Sequence, residues 1–307
     1  MKHLTSLYDI TAEELRSILQ IAAELKTRFR GGDRPQVLKG RVLVQLFEKP
    51  SLRTRNSFEA AMIQLGGGGI FMTTAEAGLN GRESLADVAK VLSSFSDVIT
   101  MRTFSQQLID DFAELSQCPV INGLSDALHP CQALTDLLTI EEEIGPADQQ
   151  HLVFVGDGNN VAVSLAVAAA MTGMRMTLAA PEGFQFTDSF VKELTEKFPG
   201  HQVSQCSKPA EAVADASVVY TDVWASMGQE AESERRKKAF AAFQVNETLL
   251  SQAPRDVRFM HDLPAKRGLE VTDGVMDSPQ SIVFEQAENR MHLARGLFAW
   301  ILDAAVK

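Results

Sequence analysis

Ser51, Arg53, Thr54 and Arg55 fall within five residues, directly ahead of a helix-like stretch. Two hydroxyls, two guanidiniums and the free backbone N–H groups of a helix start suit a phosphate. The donors point outward and the helix dipole favours an anion, while arginine adds a bidentate grip. The segment is not a Walker A loop, because GxxxxGK[ST] is absent. His129 and Gln132, three apart at a second helix start, can face one point, where a neutral imidazole could polarise a carbonyl and the glutamine hold an amide. Arg102 follows an apolar run, and Arg290 lies in the last helix-like stretch. Asp222 also follows an apolar run, and its carboxylate suits a cationic amine.

Each of these has a plainer reading when taken alone. Ser51 would cap a helix beside solvated arginines, His129 would pack in a turn, and Asp222 would cap one. The run Glu230–Lys238, rich in both charge signs, reads as a solvated face. Gly156-Asp157-Gly158-Asn159-Asn160-Val161 begins like a dinucleotide fingerprint, but Val161 stands at the third glycine position. The next strand runs into Ala179-Ala180-Pro181, where a dinucleotide enzyme would place an acid for the ribose. The amides of Asn159 and Asn160 better suit a small polar ligand than NAD.

Positioning these residues requires strands that end just before them. Val42–Phe47 has the length and apolar character of a buried parallel strand. Similar runs are 70–72, 98–101, 120–121, 152–155, 176–179, 218–220 and 258–260. Most precede a helix-like stretch, which predicts an α/β protein with doubly wound, mainly parallel sheets flanked by helices. In such sheets ligands bind beyond the carboxyl ends of the strands, where the polar residues above fall. Thr11 with Glu14 makes a capping box for an early helix. The segment 130–144 reads as one long helix and 287–306 as a final one. The expected division is 1–133, completed by the C-terminal helix 289–307, and 134–288.

With 307 residues, two domains are expected. There are 29 Lys+Arg against 40 Asp+Glu, a net charge of −11, which disfavours nucleic acid and anionic membranes as partners. An anionic ligand must then be met by a local basic pocket. No apolar run approaches a membrane span, the N-terminus lacks the apolar core of a signal peptide, and three cysteines without CxxC fit a reducing compartment. A cytoplasmic location is the expectation.

Together these motifs resemble the aspartate/ornithine carbamoyltransferase family, in order and over nearly the whole chain. Phe47-Glu48-Lys49-Pro50-Ser51-Leu52-Arg53-Thr54-Arg55 is similar to the family's carbamoyl-phosphate loop, and His129-Pro130-Cys131-Gln132 to its HPxQ. Gly156–Asn160, Asp222-Val223-Trp224-Ala225-Ser226-Met227-Gly228 and Glu270-Val271-Thr272-Asp273 resemble the ornithine branch. The resemblance implies transfer of the carbamoyl group of carbamoyl phosphate to the δ-amine of L-ornithine, giving L-citrulline and phosphate, without metal or cofactor. It implies that Ser51, Leu52, Arg53, Thr54, Arg102, His129, Gln132, Asp262, Leu263 and Arg290 bind carbamoyl phosphate. Ornithine would fall to Asn160, Asp222, Ser226 and Met227. Catalysis would fall to Arg53, Arg102, His129, Asp222 and Asp262. A homotrimer with sites between subunits is also implied.

Three positions depart from the family pattern. Asp262 replaces the cysteine of His-Cys-Leu-Pro, placing a second carboxyl near Asp222. Gly78 stands where many members have a glutamine that reaches the neighbouring subunit. Leu52 replaces a threonine, at a position that can serve through its backbone. The alternatives left open are another amine acceptor (putrescine, N-acetylornithine or lysine) and a binding homologue without turnover.

Overall fold

The computed structural model describes residues 2–225 and 232–306. The strands are β1 Val42–Phe47, β2 Gly68–Thr73, β3 Val98–Arg102, β4 Val120–Leu124, β5 His151–Val155, β6 Arg175–Ala179, β7 Val203–Cys206, β8 Val218–Thr221 and β9 Arg258–His261. The helices are α1 Ala12–Arg30, α2 Leu52–Gln64, α3 Leu85–Phe95, α4 Gln106–Leu115, α5 Pro130–Glu143, α6 Asn160–Thr172, α7 Asp188–Lys197, α8 Pro209–Ala212, α9 Ser233–Phe240, α10 Glu247–Leu250, α11 Asp273–Met276 and α12 Val283–Ile301. Two compact units result: residues 1–138 with 288–307, and residues 139–287.

The first unit holds a sheet ordered β2-β1-β3-β4, with every pairing parallel. β1, β3 and β4 are almost wholly buried, as strands covered on both faces must be, whereas β2 is the half-exposed edge. Thr11 caps α1 with Glu14 closing the box at 2.9 Å, as the sequence predicts. The C-terminal part of α12 packs closely on α1. A Cβ on Gly296 would lie 2.6 Å from the Ala22 Cβ, and Lys26 donates to the Asn289 Oδ1 at 2.7 Å. That close contact fixes the helix face carrying Arg290.

The second unit is ordered β7-β6-β5-β8-β9, again all parallel. α6 is apolar on almost every side and buried along its length, so it serves as a core helix rather than an amphipathic one. β7 is absent from the sequence expectation. Its residues Val203-Ser204-Gln205-Cys206 are half exposed and pair only with β6, so an edge strand here carries no apolar run. The last helix begins at Val283 rather than 287, and ends at Ile301.

In both sheets the strand order reverses beside the first strand, between β1 and β3 and between β5 and β8. Such a reversal leaves a crevice at the carboxyl ends, where ligands of open α/β sheets bind. The residues singled out above end or follow β1, β3 and β4 in one unit and β5, β8 and β9 in the other, except Arg290, which lies on α12. No helix among the described residues is long and apolar enough to cross a membrane.

Candidate active site

In the first unit the chain leaves β1 and enters α2 through Ser51, whose Oγ accepts the Thr54 N–H at 3.1 Å. This cap fixes the first turn, so the N–H groups of Leu52 and Arg53 lie at the positive end of the helix. The Leu52 side chain is 75% exposed, which leaves its backbone as the part that can serve a ligand. Thr54 is buried, and two arginines from distant sequence reach its hydroxyl: Arg290 Nη2 at 2.9 Å and Arg102 Nη1 at 3.4 Å. Arg290 Nη1 also donates to the Gln132 side-chain oxygen, and Gln132 Nε2 donates to Asp136 at 2.8 Å. Arg102, His129, Gln132 and Arg290 are all buried. Burial first, then the Arg290 and Arg102 charges, hold the His129 imidazole well below its ordinary pKa, so it is neutral at working pH.

A neutral imidazole beside two guanidiniums and a helix N-terminus can donate one hydrogen bond to a carbonyl while the cations take an anion. Ser51, Thr54, Arg102, His129, Gln132 and Arg290 are thus gathered at one place, with Arg53, half buried, in the same helix turn.

In the second unit Asp222 is the centre. It is buried; its Oδ1 accepts the Val223 N–H at 2.6 Å and its Oδ2 accepts Asn159 Nδ2 at 2.7 Å. Asn159 also caps α6 by accepting from Val161 and Ala162. The residue expected from sequence, Asn160, turns its side-chain oxygen onto the Val161 N–H at 3.0 Å. Asp222, His261 and Asp262 bring ligand-type atoms within 4.8 Å of one another. Both ring nitrogens of His261 are engaged. Nδ1 accepts the Leu263 N–H at 2.9 Å and Nε2 faces buried Glu270 at 3.3 Å. The imidazole is therefore poorly placed to ligate a metal.

Burial and the neighbouring Asp262 push the Asp222 carboxyl well above its ordinary range. Burial opposes charging of His261, but the carboxyls of Asp262, whose Oδ1 lies 3.5 Å from Nδ1, and of Glu270 outweigh it and raise the imidazole to about 9. The Leu263 contact at Nδ1 belongs to the neutral ring. Leu263 adopts φ 59°, a left-handed backbone unusual for leucine, which presents the loop's amides in a fixed orientation.

Two domain families match the chain in tandem. Residues 2–142 match the carbamoyl-P binding domain of aspartate/ornithine carbamoyltransferase, and residues 148–301 match its Asp/Orn binding domain. The chain belongs to the aspartate/ornithine carbamoyltransferase family. An ornithine carbamoyltransferase of Anoxybacillus flavithermus is 46% identical over 303 residues, covering 98% of this chain and 96% of that protein. An anabolic ornithine carbamoyltransferase of Pyrococcus furiosus is 45% identical over 98% and 96%. The solved ornithine carbamoyltransferase of Pyrococcus furiosus superposes with a TM-score of 0.94 at 44% identity, over 99% of this chain and 98% of that one. That of Thermus thermophilus gives 0.88 at 38%, over 98% and 99%.

Within this family frame, the departures acquire structural reasons. Gly78 has φ +85°, and a Cβ there would lie 3.0 Å from a Glu83 carboxylate oxygen and 3.1 Å from Arg82. The turn at this place is shaped for glycine, not for a long polar side chain. Ser226 and Met227 lie outside the described residues. One expectation is overturned: within the run read as a solvated face, Arg236 is buried. Its Nη1 donates to Asp157 at 2.5 Å and to the Trp224 carbonyl at 3.0 Å. Asn159 and Arg236 are the residues that sequence reasoning underweighted. The N-cap spacing ahead of α6 signals the first, and Phe240 four residues on, also buried, signals the second.

Proposed function

We propose that this family member transfers the carbamoyl group of carbamoyl phosphate to the δ-amine of L-ornithine, giving L-citrulline and phosphate, as a step of arginine biosynthesis. The observation that carries this reading is the opposite charge of the two gathered sites. One is a buried cluster of arginines, a helix N-terminus and a neutral histidine, suited to a phosphate dianion with an amide. The other is a carboxyl pair, Asp222 buried and Asp262 partly so, suited to an amine.

In this reading Ser51, Leu52, Arg53, Thr54, Arg102 and Arg290 hold the phosphate, and His129 and Gln132 hold the carbamoyl group, with the backbone of Asp262 and Leu263 as further donors or acceptors. Asp222, with Asn160, Ser226 and Met227, holds ornithine. The neutral δ-nitrogen attacks the carbonyl carbon. A C–N bond forms, the C–O bond to phosphate breaks, and the departing phosphate accepts the proton that the nitrogen loses. Arg53, Arg102, His129 and Arg290 stabilise the developing oxyanion and the leaving group. No metal or cofactor enters. Positioning and preorganised charge supply the catalysis.

Asp222 and Asp262 orient the amine and determine when it is deprotonated. Their closeness, with carboxylate oxygens within 4.8 Å of one another, supports a shared proton at this place. A trimer in the cytoplasm completes the proposal. Leu52, Ile63, Ile70 and Phe95 of the first unit are exposed apolar residues, and β2 is an open edge.

The test is ureido-product formation from carbamoyl phosphate with ornithine, putrescine, N-acetylornithine and lysine in parallel. Ornithine is expected to give the highest kcat/KM, with loss of product in Arg53→Ala. Product from another amine alone would overturn the acceptor assignment, and no product from any would favour a binding homologue.

A further inference from the structure

Arg236, on α9, is a buried charged residue of the second unit to which the proposed chemistry gives no role. It is 7% exposed and belongs to none of the motifs above. One guanidinium joins three separate segments. Nη1 donates to Asp157 Oδ2 in the turn after β5, at 2.5 Å, and to the Trp224 carbonyl on the segment after β8, at 3.0 Å. Its face lies 5.1 Å from the Phe184 ring, in the segment after β6, and Nε reaches Glu232 at 3.2 Å.

The turn after β5 has little freedom of its own. Gly158 donates to the Phe184 carbonyl at 2.8 Å, and a Cβ on it would lie 3.1 Å from the backbone at Gln185 and Phe186. Two residues beyond Asp157, Asn159 donates to Asp222. Arg236 therefore grips both the turn that presents Asn159 and the segment that follows Asp222, two residues past the carboxyl itself.

We propose that Arg236 is a positioning residue for the acceptor amine: by bridging Asp157 and the Trp224 carbonyl it sets Asn159 against Asp222. The inference rests on the reading of Asp222 as the amine-binding carboxylate. The physical need is for an arginine. Its planar fork directs N–H groups along fixed, separate lines, whereas a lysine ammonium is a point charge on a flexible stem. The Asp157 side chain is 15% exposed, so the pair is held out of water. Loss of the cation leaves a buried acid without its partner.

The assignment separates from a merely structural role through the two substrates. Every proposed phosphate-binding side chain lies in the first unit, and the Asp262 and Leu263 backbone is held by its own loop rather than by Arg236, so displacement of Asp222 acts chiefly on the amine. Steady-state kinetics on the full-length enzyme, with each substrate varied in turn, should show Arg236→Met raising the KM for ornithine about 10- to 100-fold, the range expected from a misplacement near 1 Å. The KM for carbamoyl phosphate should stay within about twofold. Arg236→Lys should recover only part of the loss, and Asp157→Asn, which keeps the shape and removes the charge, should raise the ornithine KM by itself. Should Arg236→Met fail to fold, Asp157→Asn decides. An unchanged ornithine KM in the variants that fold, or a parallel rise in both KM values, would overturn the role of Arg236. Wild-type enzyme without ornithine turnover would instead overturn the functional reading beneath it.

Discussion

The two units build their sites on the same plan, three strand ends around a reversal of strand order, yet they drive a histidine in opposite directions. His129 sits among Arg102 and Arg290 and is held neutral, whereas His261 sits among Asp222, Asp262 and Glu270 and is raised to about 9. Both are buried, so burial pushes both towards neutrality, and the sign of the surrounding charge decides the difference. The fold supplies a crevice, and side chains brought from distant sequence give it a polarity. The first polarity suits a dianion whose leaving oxygen gains negative charge until it takes up the amine's proton. The second suits an ammonium that must lose a proton before it can attack.

The largest expected effect breaks the first polarity. Arg290 bonds both Thr54 and Gln132, so Arg290→Ala removes a charge and releases two neighbours together. Removal of a single oxyanion-site donor costs about 10²–10³ in kcat, and the loss here should be at least that large. It should appear chiefly in kcat and in the KM for carbamoyl phosphate, with the ornithine KM little altered. An equal effect on both substrates would contradict the division of labour between the units.

The second polarity is sharpened by pH. The native Asp222 carboxyl holds its proton more tightly than the unfolded chain does. Its contribution to stability is complete below about pH 4 and is lost as pH rises through the native value. Asp222→Asn has no such charge to bury. The variant should be inactive towards ornithine yet melt higher than wild type by a few degrees, the gap widening from pH 5 to pH 8 in calorimetry. His129 gives the mirror image, because a lowered imidazole costs stability as pH falls below about 6.5. Within the same pair, Asp262→Cys should shift the pH optimum of kcat/KM, and an unchanged profile would remove Asp262 from proton transfer.

How far the sequence shows this arrangement depends on what burial does to composition. β1, β3, β5 and β8 lie inside their sheets, so they are largely apolar and easily read, with Gln45 and Thr100 as polar interruptions in β1 and β3. β7 is an edge whose Val203-Ser204-Gln205-Cys206 looks like loop. The phosphate-type site was legible because helix capping and arginine spacing are local signals. Arg102 and Arg290 were legible only as partners for it, since nothing near either one says where it points. Arg236 was illegible for a related reason: in Ser233-Glu234-Arg235-Arg236-Lys237-Lys238 four cations look alike, and only the three-dimensional path of the chain buries one of them. The pairing of Asp222 with Asp262 was legible as an oddity of sequence, but its support by Asn159 required coordinates.

The smallest expected effect concerns the departure at Leu52. Its side chain is 75% exposed at the first position of α2, while the Ser51 cap holds the backbone of that turn. If the site uses only the N–H at this position, the side chain is free to vary. Leu52→Thr should then change kcat/KM by less than about twofold and stability by less than about 0.5 kcal/mol, the usual range for an exposed side chain that leaves the cap itself intact. A tenfold gain on introducing the hydroxyl would show that the side chain does reach the phosphate, and that leucine here weakens the first polarity. Parallel measurement of the KM for carbamoyl phosphate and of chemical denaturation distinguishes the two outcomes, because a backbone contact moves neither quantity.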